Sequence, residues 1–70
     1  MKFYTGEGCS KCMLLKRMLN ANRIIYEEID DKDVVMKKAM EIETMELPII
    51  DIDGTYYSGT KAIQEIQRRL

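Results

Sequence analysis

The pattern of apolar and polar positions divides the chain into short segments, each as long as one strand or one helix. Lys2 to Tyr4 is a brief candidate strand, and the segment from Ser10 to Asn22 carries methionine, leucine and lysine residues that favour a helix. The segment from Arg23 to Asp30 is rich in β-branched and aromatic residues over its first half and predicts a second strand. The apolar residues that fall at helical spacing in the helix are Met13, Leu14 or Leu15, Met18 and Leu19.

Two more helices are predicted in the second half of the chain. The aspartates in the segment 30–33 supply a cap and first-turn acids for a helix that runs to about Ile42. From Thr60 the chain predicts a final helix, because apolar residues recur there at helical spacing while Arg68 and Arg69 suit the negative end of the helix dipole. The predicted buried stripe of this helix consists of Ala62, Ile63, Ile66 and Leu70.

Between these two helices the chain predicts a β-hairpin. Its first strand begins at the proline of "LPIIDID", its turn lies at Asp53 and Gly54, and its second strand runs through Tyr57. The predicted order is therefore β-α-β-α-β-β-α, which belongs to the α/β class. The first β-α-β unit should form a parallel crossover and the last two strands an antiparallel pair, so the sheet must be mixed.

The size and charge of the chain limit what it can be. Seventy residues make a single domain, 1–70, near the lower limit at which apolar burial alone holds a fold. Eleven basic and twelve acidic residues nearly cancel, which argues against a nucleic-acid-binding face or a polybasic membrane segment. No apolar run approaches the roughly 18 to 20 residues that cross a bilayer, and the first residues lack a signal-peptide core. We therefore expect a cytoplasmic monomer that binds neither nucleic acid nor membrane.

Both cysteines of the chain, Cys9 and Cys12, lie in the segment "GEGCSKC", and the chain has no histidine. A purely structural disulfide is a weak interpretation, because the cytosol keeps such bonds reduced and closing so short a loop stabilises a fold by only about 2 kcal/mol. A zinc or iron–sulfur site needs about four ligands, so only a dimer with thiolates from both chains would complete one. The six methionines are predicted to fill gaps in the core rather than to bind metal. A redox pair and a metal-bridged dimer stay open as hypotheses.

The spacing of the two cysteines suits disulfide chemistry at the start of a helix. If Cys9 is the N-cap and Cys12 lies one turn later, their α-carbons should be about 5 Å apart, within the range that a disulfide accepts. Free backbone N–H groups and the helix dipole would lower the pKa of Cys9 from about 8.5 towards neutrality. Lys11 would add to this shift, whereas Glu7 would oppose it if its carboxylate turned inward. Cys12 should face the sheet and keep its proton longer, so we predict that Cys9 attacks a disulfide and Cys12 resolves the mixed disulfide.

Three segments, in this order, resemble the glutaredoxin-like branch of the thioredoxin fold. They are "FYTGEGCSKC" between the first strand and the first helix, "ELPIID" at the start of the third strand, and "DGTYYSG" before the last helix. The resemblance covers essentially the whole chain. It implies a four-stranded sheet in the order 4-3-1-2 with strand three antiparallel to the rest. It also implies an enzyme that exchanges thiols and disulfides and needs no cofactor beyond a redox-active disulfide between Cys9 and Cys12.

The resemblance also implies a set of substrate-binding residues around the cysteines. Pro48 corresponds to a cis proline that faces the cysteines, and Leu47 offers backbone groups to an extended substrate. Leu47 departs from the smaller residue, such as valine, that glutaredoxins usually carry there. Ser58 and Gly59 suit a turn and a helix cap as well as a binding role. The full predicted set is Gly8, Ser10, Lys11, Leu47, Pro48, Ser58 and Gly59.

The resemblance leaves two reductants open. Typical glutaredoxins bind glutathione through a basic residue three positions before the first cysteine and an acidic pair near the last helix, whereas this chain has Gly6 and then Thr60 and Lys61 there. The segment "YSG", residues 57–59, resembles instead the small electron donors of ribonucleotide reductase, which thioredoxin reductase recharges. We therefore expect a redoxin that reduces protein disulfides and is recharged by thioredoxin reductase, with a glutathione-dependent glutaredoxin as the alternative.

Overall fold

The computed structural model describes all 70 residues, which form four strands and three helices in the predicted order. The strands form one mixed sheet in the order β2-β1-β3-β4, with β1 parallel to β2 and β3 antiparallel to both of its neighbours. The predicted strand order and directions are confirmed. None of the three helices combines the length and the apolar character that crossing a bilayer requires. The elements are β1 (Lys2–Tyr4), α1 (Ser10–Ala21), β2 (Glu27–Ile29), α2 (Lys32–Glu41), β3 (Ile49–Ile52), β4 (Thr55–Ser58) and α3 (Thr60–Arg69).

The sheet has a large apolar cluster on one face and a small one on the other. Phe3 and Tyr4 are neighbours in β1, so their side chains point to opposite faces, and Ile50 and Ile49 divide in the same way in β3. The large cluster joins α1 and α3 to the sheet and consists of Phe3, Cys12, Leu15, Leu19, Ile50, Ala62, Ile63 and Ile66. The small cluster joins α2 to the sheet and consists of Tyr4, Val35 and Ile49.

Helices α1 and α2 both end in a Schellman motif built without glycine. Arg23 and Glu43 follow the two helices with φ angles of 55° and 56°, in the left-handed region. In the first motif the N–H of Ile24 donates to the carbonyl of Leu19 at 3.0 Å, which satisfies a carbonyl that the helix end would leave free. Because the usual glycine is missing, the sequence carries no signal for either motif.

The second strand is shorter than predicted. The segment 23–30 was expected to be a strand, but β2 covers only Glu27–Ile29, because the first residues of the segment end α1 and cross to the sheet. Ile25 is 92% exposed on this crossing. Tyr26 packs edge-on against Phe3, with ring centroids 5.6 Å apart.

Of the α1 residues at helical spacing, Leu15 rather than Leu14 is buried, and the prediction that methionines fill the core is wrong for Met13. Leu15 and Leu19, one turn apart, are fully buried and Met18 is half-buried, but Met13 is 62% exposed and Leu14 is also exposed. The apolar stripe of α1 is therefore narrow, because only one line of side chains along the helix faces the sheet.

Two further burial predictions are wrong, one for Leu70 and one for most of the methionines, because these residues do not face the sheet. Leu70 follows the end of α3 and is 59% exposed, although the rest of the predicted stripe of that helix is buried. The methionines were expected to fill the core. Four of the six are exposed, because they lie on outward faces of helices or in the loop before β3: Met13, Met36, Met40 and Met45.

The hairpin follows the prediction. Asp53 and Gly54 form its turn with φ angles of 52° and 88°, as a two-residue turn with both φ angles positive requires. The carboxylate of Asp51 accepts a hydrogen bond from the backbone N–H of Gly54 at 2.8 Å and so closes the turn. Strand β4 continues one residue beyond the predicted end, to Ser58.

Candidate active site

Cys9 is the N-cap of α1, and Cys12 lies in the first turn of that helix. The Sγ atom of Cys9 accepts a hydrogen bond from the backbone N–H of Cys12 at 3.1 Å. The two sulfurs form a disulfide, and the α-carbons are 5.2 Å apart, close to the spacing that helix geometry predicts. Gly8, with a φ angle of 67°, precedes the pair and turns the chain into the helix.

The two cysteines differ in exposure. Cys9 is half-buried at the edge of the large cluster, whereas Cys12 is 2% exposed and belongs to the cluster itself. A substrate sulfur can therefore approach Cys9 more readily than Cys12. An apolar environment also disfavours a charged thiolate at the buried position, while the N-cap position favours one.

The loop before β3 ends at Leu47 and Pro48 and brings Leu47 to the cysteine loop. The peptide bond between them is cis, as the resemblance implies. Pro48 is buried, and its carbonyl accepts a hydrogen bond from the N–H of Gly59 at 2.8 Å. A Cβ atom at Gly6 would lie 2.9 Å from Cδ1 of Leu47, so the absence of a side chain at Gly6 makes room for Leu47. Leu47 thus contacts the loop that leads into Cys9.

The junction between β4 and α3 is covered by the segment before Leu47. The Ser58 Oγ and Thr44 Oγ1 atoms are hydrogen-bonded at 2.9 Å. Gly59 is buried with φ 59° and ψ −133°, a conformation that favours glycine, and a Cβ atom there would lie 3.0 Å from the side chain of Glu46. The structure therefore gives Ser58 and Gly59 structural contacts, and their role in substrate binding stays a prediction.

Two cavities lie beside the cysteine loop. One, with a volume of about 460 Å³, extends to Leu47 and to Val35 and Met36 of α2. The other, of about 320 Å³, reaches Cys12. The two cavities share four lining residues, and we call the pair of cavities the β1–β2 groove. The shared wall consists of Thr5, Gly6, Glu7 and Asp30.

Asp30 and the start of α2 lie at the site, although neither is among the predicted site residues. A signal for this was present, because β1 and β2 are parallel and the loops that follow parallel strands meet at the same edge of the sheet. The loop after β1 leads into Cys9 at the start of α1, and the loop after β2 carries Asp30. Lys32 in the first turn of α2 lines the same groove.

The charges around the β1–β2 groove are unevenly paired. The ammonium group of Lys16 lies 3.0 Å from a carboxylate oxygen of Glu28, and this hydrogen bond and charge raise the pKa of Lys16 above its ordinary value. Glu7 and Asp30 have no ion-pair partner, and neither has Lys32. The free charges on the wall of the groove are therefore two carboxylates and one ammonium group.

The remaining predicted site residues lie on the surface near Cys9. Ser10 and Lys11 are exposed in the first turn of α1, so both are accessible to a substrate bound at Cys9. No group of three or more histidine, cysteine, aspartate or glutamate side chains in the structure is arranged to hold a metal ion.

Solved structures of a thioredoxin-like protein share this fold. The chain matches the crystal structure of the thioredoxin-like protein BC3987 with a TM-score of 0.79 and 28% sequence identity, over 99% of this chain and 97% of that one. A single-substitution variant of the same protein matches with a TM-score of 0.79 and 26% identity, over 96% and 93% of the two chains. No family model and no curated protein matches the chain. The chain therefore has a thioredoxin-like fold that carries a C-x-x-C disulfide.

Proposed function

We propose that the chain is a small dithiol–disulfide oxidoreductase that reduces protein disulfides through Cys9 and Cys12. The observation that carries this proposal is the arrangement of the pair, with one half-buried sulfur at a helix N-terminus and the other sulfur buried beneath it. The thioredoxin-like fold of the solved neighbours supports the redox hypothesis. No cofactor beyond the disulfide is needed for this chemistry.

The proposed reaction transfers two electrons from the dithiol to the substrate. The thiolate of Cys9 attacks one sulfur of the substrate disulfide, so a bond forms to Cys9 and the substrate S–S bond breaks. The departing substrate thiolate takes up a proton. Cys12 then loses its proton and attacks Sγ of Cys9, which forms the Cys9–Cys12 disulfide and releases the second substrate thiol. An external reductant must return the two electrons.

The backbone at the start of α1 stabilises the attacking form of Cys9. The N–H of Cys12 already donates to Sγ of Cys9 at 3.1 Å, and a charged sulfur would strengthen this bond. The helix dipole acts in the same direction, and Lys11 adds a nearby positive charge. In this proposal, Gly8 and Ser10 border the bound substrate, and Leu47 and Pro48 hold its extended chain against the cysteines.

For the reductant we propose thioredoxin reductase, and ribonucleotide reductase is the first protein substrate to test. The absence of a basic side chain at Gly6 supports this choice over glutathione, because each missing charge-assisted hydrogen bond costs roughly 1.5 to 3 kcal/mol. We propose that the protein works as a cytoplasmic monomer.

The proposal is tested by NADPH consumption during reduction of insulin, with thioredoxin reductase in one arm and glutathione with glutathione reductase in the other. Turnover with thioredoxin reductase is expected. Turnover with glutathione alone would make the protein a glutaredoxin. No turnover in either arm, with the disulfide verified as reducible by dithiothreitol, would contradict the proposal.

The roles of the two cysteines are tested by matched serine variants. Cys9→Ser should abolish reduction of insulin, because no nucleophile remains at the surface. Cys12→Ser should instead accumulate a mixed disulfide between Cys9 and the substrate, visible as an added mass under non-reducing conditions. If Cys12 of the reduced protein alkylates faster than Cys9 at neutral pH, the assignment of roles is wrong.

A further inference from the structure

The wall that both parts of the β1–β2 groove share carries free negative charge. Glu7 and Asp30 line both parts of the groove and have no ion-pair partner. Lys16, the cation on the side of Cys12, is already paired with Glu28. The one free cation, Lys32, lies in the part that faces α2. A substrate segment that enters either part of the groove therefore meets two carboxylates without an ion-pair partner.

The same groove has an apolar side. In the part that faces α2, Val35, Met36 and Leu47 line the groove together with the acidic residues, and Leu47 lies against the cysteine loop at Gly6. An aliphatic stem that ends in a cation fits both surfaces, because the stem can pack on the apolar side chains while the charged head reaches the carboxylates. Lysine and arginine are the side chains with this construction.

We propose that the β1–β2 groove binds a lysine or arginine that flanks the cysteine of the substrate disulfide, and that Glu7 and Asp30 make the protein selective for basic disulfide segments. This inference rests on the proposed function, since it names the substrates of the same cysteine pair. Disulfides flanked by carboxylates are disfavoured by the same two side chains, because like charges repel in the groove.

The test uses pre-reduced protein, freed of reductant, in single-turnover reactions with disulfide-linked peptide dimers. The peptides share the form acetyl-Ala-X-Cys-X-Ala-amide, where X is lysine, glutamine, glutamate or leucine. The rate of peptide thiol release gives a second-order rate constant for each peptide. An exposed ion pair changes an equilibrium by about 1.5- to 5-fold, so two carboxylates should favour the lysine peptide over the glutamate peptide roughly tenfold. Salt at about 0.5 M should reduce this ratio strongly.

The role of the two carboxylates is tested with a double variant, Glu7→Gln with Asp30→Asn. The lysine-to-glutamate ratio should fall to about one- to threefold, because the groove then has no free carboxylate. The ratio is the deciding quantity, since a change in the reactivity of Cys9 alters the rates of all peptides alike. Glu27→Gln is the matched control, because Glu27 is exposed on β2 and does not line the groove. This control should keep the wild-type ratio.

The outcomes separate the inference from the proposed function. Equal rates for the lysine, glutamine and glutamate peptides would overturn the inference and leave the oxidoreductase intact. A leucine peptide that reacts faster than the lysine peptide would also overturn it, because the groove would then select for apolar character alone. If the reduced protein releases no thiol from any peptide or from insulin, the proposed function itself fails.

Discussion

The two faces of the sheet bury very different amounts of apolar surface, although β1 and β3 supply both faces equally. On the face covered by α1 and α3, eight buried residues form the large cluster. On the face covered by α2, only three residues are buried, and Val35 is the one that α2 contributes. Apolar burial is the main stabilising term in a domain of this size, so the first face should hold the fold together.

This difference divides the candidate site into a firmly held part and a lightly held part. Cys12 belongs to the large cluster, so the resolving sulfur lies in the best-packed region of the molecule. The β1–β2 groove instead has one wall on α2, beside Val35 and Met36. We therefore expect the part of the groove on α2 to open locally more readily than the region around Cys12.

The largest effect on the free energy of unfolding is expected when one buried side chain on each face of the sheet is truncated to alanine. Leu15→Ala should lower the free energy of unfolding by about 3 kcal/mol, because it leaves a cavity in the large cluster. Val35→Ala should lower it by about half as much, since it removes fewer carbon atoms from a smaller cluster. A chain of this length has a free energy of unfolding of roughly 4 to 10 kcal/mol in total. Leu15→Ala should therefore leave the protein close to the point at which it no longer folds. Urea denaturation of the reduced proteins measures both values.

Met45→Ala is the control for this pair, because Met45 is fully exposed at 100% and should change the urea midpoint little. Equal losses for Leu15→Ala and Val35→Ala would show that the small cluster matters as much as the large one. The division of the site into two parts would then be wrong.

A smaller effect on stability is expected when the polar contact between α2 and β4 is removed. The ammonium group of Lys38 donates to the hydroxyl of Tyr56 at 3.1 Å and lies 4.9 Å from the centre of its ring. The hydrogen bond to Tyr56 is the main cause that raises the pKa of Lys38 above its ordinary value. Lys38→Met should destabilise less than Val35→Ala and should act locally, so the backbone amides of α2 exchange hydrogen faster while those of α1 do not.

Hydrogen exchange followed by mass spectrometry measures this local effect. Lys37→Met is the matched control, because Lys37 is exposed and has no hydrogen bond or ion pair, so its variant should leave exchange in α2 unchanged. Faster exchange throughout α1 in the Lys38 variant would contradict a local role, since it would mean that the whole domain opens.

The fold was predictable because most of its elements carry a local pattern. The hairpin turn at Asp53 and Gly54, the N-cap at Asp31 within the acidic segment, and the burial of Ile63 and Ile66 all follow from residue type and spacing. The end of α1 was not predictable, because Arg23 adopts a left-handed conformation without the glycine that usually signals it.

From local patterns alone the site was predictable only where residues are close in sequence, and the cis bond between Leu47 and Pro48 was predicted from the family resemblance instead. Cys9 and Cys12 were placed at the start of α1 because three positions along a helix have a known separation. The β1–β2 groove depends on how the loops after two parallel strands meet, so Glu7 and Asp30 come together only through the sheet. The exposure of Met36 has the same origin, because it depends on how little of α2 the sheet covers.

The smallest effect on stability is expected from the ion pairs that Glu65 forms with two arginines near the end of α3. The carboxylate of Glu65 pairs with Arg68 and with Arg69, the latter at 2.8 Å, and the hydrogen bond from Arg68 is the main cause that lowers the pKa of Glu65 below its ordinary value of 4.5. A carboxyl group with a lowered pKa in the folded state stabilises that state above its ordinary pKa and loses the effect as the pH falls through the lowered value.

Glu65→Gln should therefore lower the urea midpoint slightly at pH 7, by less than Lys38→Met does, and the gap to the wild type should close as the pH falls below about 4.5. Glu27→Gln is the control, because Glu27 is exposed without an ion pair and its variant should follow the wild type at every pH. A gap for Glu65→Gln that persists to pH 2 would mean that the loss comes from packing of the side chain rather than from its charge. A gap larger than that of Lys38→Met would mean that ion pairs stabilise the well-packed face more than a polar contact stabilises the other face. This would contradict the view that apolar burial dominates on the face covered by α1 and α3.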